Sequence, residues 1–279
     1  MSKSATIVKP PGDEAPDFDH LFAAEDRHFW FRSRNDVIAR VVRGLTDKMA
    51  PGYRVLEVGC GTGNVLRALE KVCARGETIG LDLFEQGLQF ARQRTSCPLI
   101  QVDIHAMKFD APFEVVGMFD VLEHLPDDRR ALQDVRRVLA PTGRLLLTVP
   151  AHMALWSHTD EFANHYRRYS VAQLRQALTE SGYRVEFASE FMMALVPFMW
   201  LNRRAASMLR RLRGGPVPDA KSLALSELRI VPGFNRIMSW LLGWEARLLA
   251  RRRPLPFGAS IIALACRDDV APASGRQAA

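Results

Sequence analysis

A chain of 279 residues, 48% apolar and 25% charged, can bury a sizeable core and reads as one large domain with a cap. Its four cysteines, Cys60, Cys73, Cys97 and Cys266, form no Cys-x-x-Cys pair and no zinc-ligand spacing, so neither a disulfide framework nor a structural metal is expected and a reducing cytoplasm fits best. The net charge of +7 is concentrated: residues 203–253 carry twelve Lys or Arg against three acids, a local +9, and such a block attracts phosphate on nucleic acid, a small molecule or a membrane, with a solvated cap face as the plain alternative.

In chain order, residues 1–17 are polar, hold Pro10, Pro11 and Pro16, and read as a disordered leader without a signal peptide. Residues 18–49 form an N-terminal helical arm. It contains the aromatic and basic run His28-Phe29-Trp30-Phe31-Arg32-Ser33-Arg34, then a helix over 34–46 whose Val37, Ile38, Val41, Val42 and Leu45 recur at helical spacing behind a Ser33 cap. From 50 to 190, β-branched and leucine-rich runs (54–58, 78–81, 99–102, 115–119, 144–149, and one near 184–188) alternate with helical stretches. That is the rhythm of an α/β fold with a parallel sheet and crossover helices. Residues 191–256 read as a helical, basic insertion, too long for a loop. Its apolar stretch 191–201 contains Pro197 and falls short of the roughly 20 residues a membrane span needs. A last core strand occupies 257–267, and 268–279 read as a disordered tail.

The strongest chemical signal is the strand Val55-Leu56-Glu57-Val58 running into Gly59-Cys60-Gly61-Thr62-Gly63-Asn64. Glycines there let the backbone bend sharply and approach a ligand, with the next helix offering its N-terminal N–H groups. A dinucleotide fingerprint would need glycine where Asn64 stands, and a carboxylate at Glu57 would repel a pyrophosphate. The turn suits a cationic ligand, and a nicotinamide oxidoreductase is disfavoured.

These residues resemble motif I of the class I, Rossmann-like S-adenosylmethionine-dependent methyltransferases. The resemblance implies a seven-stranded, mostly parallel sheet with helices on both faces, an N-terminal helical arm and a helical insertion before the last strand. It also implies S-adenosylmethionine as cofactor and S-adenosylhomocysteine as product. By the same resemblance Glu57, Gly59, Cys60, Gly61 and Gly63 line the cofactor, and Asp82, at a strand end, accepts the ribose hydroxyls. Leu83 packs on the adenine, and Asp103 with Ile104 takes the adenine amino group. The segment Phe119-Asp120-Val121-Leu122-Glu123-His124 resembles the run that passes beside the methyl group in the ubiquinone-biosynthesis-like group. In some of those relatives a Glu, Glu, His set binds magnesium. Asp120 replaces the first Glu here, so no metal is expected, and Glu123 and His124 are expected to serve as hydrogen-bonding partners.

Trp30 and Arg32 (or Arg34) on the arm are candidates to cover the cofactor, with anchoring of the arm as the alternative. After the fifth strand, the run Trp156 to Tyr169 includes His165-Tyr166-Arg167-Arg168-Tyr169. The chain is similar here to a bacterial subgroup of methyltransferases that shares the arm and this run. Asp160 and His165 can form an oriented base, with Tyr166 and His124 as further catalytic candidates. Arg167 and Arg168 suit an anionic group on the acceptor, unless Arg168 and Tyr169 merely cap the helix that begins near Ser170.

The expected function is methyl transfer to a small-molecule or lipid-like acceptor, with a non-catalytic cofactor-binding, membrane-peripheral protein as the alternative. A basic amphipathic helix is expected around Phe234, Ile237, Met238, Leu241, Leu242, Leu248 and Leu249, and residues 191–253 are a candidate contact with an anionic membrane surface on its cytoplasmic side. A cap packed on the core or a homodimer interface would serve the same stripe. No nucleic acid is expected, because no recognisable binding module accompanies the charge.

Overall fold

The computed structural model describes residues 17–201 and 229–269. The expected leader, most of the tail and the middle of the insertion lie outside the described residues. Seven strands, β1 (Arg54–Val58), β2 (Glu77–Asp82), β3 (Leu99–Gln101), β4 (Phe113–Phe119), β5 (Leu139–Pro150), β6 (Tyr183–Phe191) and β7 (Ser260–Arg267), form one sheet in the order β3-β2-β1-β4-β5-β7-β6. All neighbours are parallel except those of β7, which runs antiparallel to β5 and β6. The sheet is Rossmann-like, as expected. The connection order reverses between β1 and β4, which opens a crevice at the strands' carboxyl ends, the usual ligand position in open α/β sheets.

Helices cover both faces because the central strands are apolar on both. On one face α5 (Asp128–Val138) and α7 (Val171–Glu180) bury Leu132, Val135, Leu174 and Leu178 against Leu56, Val58, Leu145 and Leu147. On the other, α2 (Phe29–Thr46), α3 (Asn64–Val72) and α8 (Pro232–Ala250) bury Val37, Ile38, Leu69, Leu242 and Leu249 against Val55, Val115 and Leu146. The shorter α1 (Phe18–Glu25), α4 (Glu85–Ala91) and α6 (His158–Phe162) lie among the connections.

The expected arm contains two helices, and the second starts earlier than its apolar periodicity suggests. His28, not Ser33, caps α2, its Nδ1 accepting from Trp30 N at 3.3 Å. Phe29 and Phe31 then belong to the first turn and are buried, so aromatic burial extends the helix beyond its β-branched stripe. Ser170 caps α7 through a capping box with Gln173. Within the insertion, residues 195–201 and α8 are helical. Glu245 of α8 ties the two together by accepting from Met193 N and Ala194 N at 3.0 Å each.

Candidate active site

The glycine turn sits between β1 and α3 and is locked to the end of β2, Gly59 N and Cys60 N both donating to the Leu81 carbonyl at 2.7 and 2.9 Å. Gly59, Gly61 and Gly63 have φ of +74°, +50° and +75°, a region that L side chains avoid. At Gly59 a Cβ would stand 2.4 Å from Val121 Cγ2, and at Gly63 it would stand 2.9 Å from Ala91 Cβ. The turn is therefore glycine-bound by both backbone and contact, and it is the cradle that a ligand's close approach needs.

Two acids face this turn. Asp82, buried at the end of β2, accepts from Gly61 N at 2.7 Å through Oδ2 and from Phe84 N at 2.8 Å through Oδ1. Burial pushes its pKa up, and those N–H donors oppose the rise. Each oxygen keeps a lone pair beyond the turn's own bonds. Glu57 is 1% exposed and its Oε2 has no hydrogen-bond partner. Burial raises its pKa well above the usual carboxylate range, with the Arg34 charge as the largest opposing influence. A buried, unpartnered carboxylate oxygen beside a glycine cradle is what a cationic ligand would satisfy. Asp103 lies after β3, half-buried, and caps a short turn by accepting from His105 N at 2.7 Å. Ile104 is buried, and Leu83, half-buried, follows Asp82 directly. Of the residues expected at the cofactor, those of the glycine turn with Asp82, Leu83, Asp103 and Ile104 thus gather at the ends of β1, β2 and β3.

The arm closes over the same place. Phe18 of α1 would touch a Cβ on Gly61 at 3.9 Å and one on Gly87 at 3.0 Å. Behind it the buried Glu25 carboxylate accepts from Thr62 Oγ1 and from Arg94. Arg94 also reaches Thr62 Oγ1 at 2.7 Å and the Phe22 carbonyl at 2.8 Å. This Glu25-Thr62-Arg94 strap escaped the sequence reading, because no local pattern links positions in three separate elements.

Arg34, rather than Arg32, is the arm's inward cation. It donates to Asp120 Oδ2 at 2.6 Å and lies 4.9 Å from the Trp30 ring centroid. Arg32 is exposed and lines a polar surface hollow of about 330 Å³ with Asp36 and Asn64. Trp30 is half-buried and meets Phe31 edge to face. The Phe119 ring is buried on the sheet face beneath α2 and abuts Gly117, the residue paired in register with Glu57.

A second cluster forms at the ends of β4 and β5. Asp160 is fully buried and receives His165 Nδ1 at 2.8 Å, Arg168 Nε at 2.7 Å and Ser157 N at 2.8 Å. Burial would raise its pKa, but the hydrogen bonds from His165 and Arg168 overcome that and hold it at about 2. The His165 ring meets His124 edge to face at 4.6 Å. Burial, reinforced by His165, pushes His124 down to about 3 and keeps it neutral. Tyr166 has an exposed side chain, and its N–H donates to the Glu123 carbonyl at 2.8 Å.

The two arginines of this run serve the scaffold. Arg168 holds Asp160 bidentately, its NH2 group donating to Oδ2 at 2.9 Å. Arg167 holds the Leu125 and Pro126 carbonyls and pairs with Asp128 at 3.1 Å. Asp120, the analogue of a magnesium ligand in some relatives, is committed to Arg34. Glu123, fully buried with both oxygens unpartnered, instead comes together with His124 and His165, one ligand atom of each within 4.8 Å of the others. Two imidazoles and one carboxylate do not make the oxygen shell that magnesium takes.

A methyltransferase-domain family matches residues 26–187. A Mycolicibacterium smegmatis protein named "Probable S-adenosylmethionine-dependent methyltransferase" is 31% identical over 169 residues, covering 58% of this chain and 62% of that protein. The ubiquinone biosynthesis O-methyltransferase of Klebsiella pneumoniae is 34% identical over 105 residues, 35% of this chain and 42% of that one. The chain thus spans less than two thirds of the length of these curated relatives. A Haloferax volcanii methyltransferase solved in complex with the Trm112 methyltransferase activator shares the fold at a TM-score of 0.54 and 18% identity, covering 91% of this chain and 99% of that one. An S-adenosylmethionine-dependent methyltransferase from Clostridium acetobutylicum does so at 0.52 and 11% identity, over 90% and 96%.

Proposed function

The chain belongs to the methyltransferase-domain family, and from that premise we propose that it transfers a methyl group from S-adenosylmethionine to a small-molecule or lipid-like acceptor. The carrying observation is Glu57, a buried carboxylate with an orphan oxygen, standing beside a turn built for close ligand approach. That combination favours a cationic cofactor over a pyrophosphate. Gly59, Cys60, Gly61 and Gly63 would line the cofactor. Asp82 would hold its ribose, and Asp103, Ile104 and Leu83 its adenine, while Trp30, Phe119 and Arg34 would close the other side. When bound, the cofactor supplies a sulfonium-activated methyl group. The chain then has mainly to position the acceptor in line and exclude water.

At the acceptor end, Asp160 accepts the Nδ1 proton of His165 and so leaves Nε2 with its lone pair free to take a proton. That makes His165 the base for a hydroxyl or carbon acid. Asp160 orients it, neutral His124 packs against it, and Tyr166 stands exposed beside it. Residues 191–253 would bring the site to an anionic membrane surface on its cytoplasmic side. No helix among the described residues is long and apolar enough to cross a membrane.

Calorimetric titration with S-adenosylhomocysteine tests the reading. Binding should saturate at one site, disappear in Asp82→Ala, and be absent with NADH. Failure to bind S-adenosylhomocysteine, or binding of NADH in its place, overturns it.

A further inference from the structure

α8 is apolar on two opposite faces. At about 100° per residue, Met238, Leu242, Glu245, Ala246 and Leu249 form the buried stripe, whose four apolar residues pack in one cluster with Val37, Ile38 and Val42 of α2. Ile237, Trp240 and Trp244 fall within about 60° of one another on the far side by the same helical spacing, and they are 58%, 74% and 54% exposed. The inner stripe packs on the core, as the alternative to a membrane contact has it. The outer stripe is left over: the sequence pattern placed Ile237 with Met238 and Leu242, whereas the structure turns it outward beside two tryptophans.

The exposure is local. Of the ten large apolar side chains exposed among the described residues, eight fall between Phe198 and Phe257. Phe198 stacks on Phe234 at 4.3 Å, which joins the helical stretch 195–201 to the start of α8. Isolated exposed apolar residues need no explanation, but a concentrated set does. Arg236 and Arg247 lie on one edge of the stripe, and Arg251, Arg252 and Arg253 close its end, all exposed. No acid among the described residues pairs with any of these five.

We propose that this outer face of α8 is an interfacial membrane-binding surface. In it Ile237, Trp240 and Trp244 enter the headgroup boundary of an anionic bilayer, and the flanking arginines meet lipid phosphate. Tryptophan suits that boundary because its ring is apolar and its indole N–H can stay hydrated. Charge complementarity selects the occupant. A second copy of this chain would set one +9 segment against another, whereas an anionic leaflet attracts it. The opposite face of the same helix packs on α2, which carries Trp30 and Arg34 to the site, so the membrane would lie one helix layer from the reaction. The surface stands independently of the methyl-transfer reading and rests on it only for the conclusion that the acceptor is presented there.

Flotation of the full chain with vesicles tests the proposal, using phosphatidylglycerol mixed into phosphatidylcholine against phosphatidylcholine alone, beside a Trp240→Ser/Trp244→Ser variant. S-adenosylhomocysteine titration of the same samples is the control. The protein should float with the anionic vesicles at least tenfold more than with neutral ones, and 0.5 M salt should weaken the binding. The double variant should lose it while binding S-adenosylhomocysteine unchanged. Equal flotation with neutral vesicles, no flotation, or undiminished flotation of the variant overturns the proposal. So does a concentration-dependent dimer that the double variant dissolves, since the stripe would then face a second copy. Loss of S-adenosylhomocysteine binding by the wild-type chain would instead strike the functional reading and leave the surface standing.

Discussion

The two ends of the candidate active site are built differently. At the ends of β1 and β2 the groups that matter are neighbours in the chain: Glu57, Gly59, Gly61 and Gly63 within seven residues, with Asp82 bonded to Gly61 from one strand away. At the ends of β4 and β5 they come from separate loops. His124 follows β4, while Asp160, His165 and Arg168 follow β5. A ligand site made by backbone conformation has to be written locally, because glycine at positive φ and an acid at a strand end are properties of position. A site made by side-chain packing can draw on any elements that the sheet brings together. The difference predicts that damage to the first end removes binding, and that damage to the second slows turnover and leaves binding intact.

The largest expected effect is at Gly59. Valine there must adopt a left-handed backbone, which costs about 1–3 kcal/mol, and must displace Val121, whose Cγ2 is 2.4 Å from the Cβ position. Gly59→Val should weaken S-adenosylhomocysteine about 100-fold or more, since each 1.4 kcal/mol is tenfold, and it should lower the unfolding midpoint. Calorimetry and thermal melting check both. Unchanged affinity would mean that the turn does not approach the ligand.

Next in size is His165. With the acceptor that a screen yields, His165→Gln should lower kcat by about 10²–10⁴, the usual contribution of a positioned base, while affinity for S-adenosylhomocysteine stays within about twofold of wild type, well under the tenfold that 1.4 kcal/mol would give. Equal losses in both would erase the distinction between the two ends. An unchanged kcat would show that the acceptor needs no base, as expected of a thiolate or carboxylate.

The legibility of the molecule follows the same division. Seven strands, the glycine turn and Asp82 could be placed from the sequence because β-branched and leucine-rich runs, glycines and strand-end acids are local signals. The capping of α2 at His28 was missed, since the aromatic run 29–31 does not repeat at helical spacing and is helical because it is buried. The strap through Glu25, Thr62 and Arg94 and the turning of Arg34 inward over Arg32 depend on which face of an arm meets the core. By residue type alone, Arg167 and Arg168 after β5 suit an acceptor contact or, for Arg168, a helix cap. Their commitment to Asp128 and Asp160 is visible only when the loops are brought together.

The smallest effect is a pH dependence of stability that tests the packing of the acceptor end. His124 is held at about 3 by burial and by His165, below its ordinary value of 6.5. Between those values the unfolded chain takes up a proton that the fold refuses. Stability conferred through His124 is therefore complete above pH 6.5 and declines as pH falls, by at most about 1.4 kcal/mol per unit. Asp160, held at about 2, acts in the same direction but only below its ordinary 3.8. Glu57 and Glu123 act oppositely. Burial raises both, so the fold keeps protons that the unfolded chain releases from about pH 4.5 upward, and stability falls as pH rises. The total slope mixes these signs, but the difference between wild type and His124→Phe isolates one of them, because phenylalanine keeps the edge-to-face contact with His165 and removes the titration. Urea midpoints at pH 7, 6 and 5 should show the wild type losing more stability than the variant over that span. An identical slope in the two proteins would place His124 in water, and the acceptor end would then be an open surface, not a packed site.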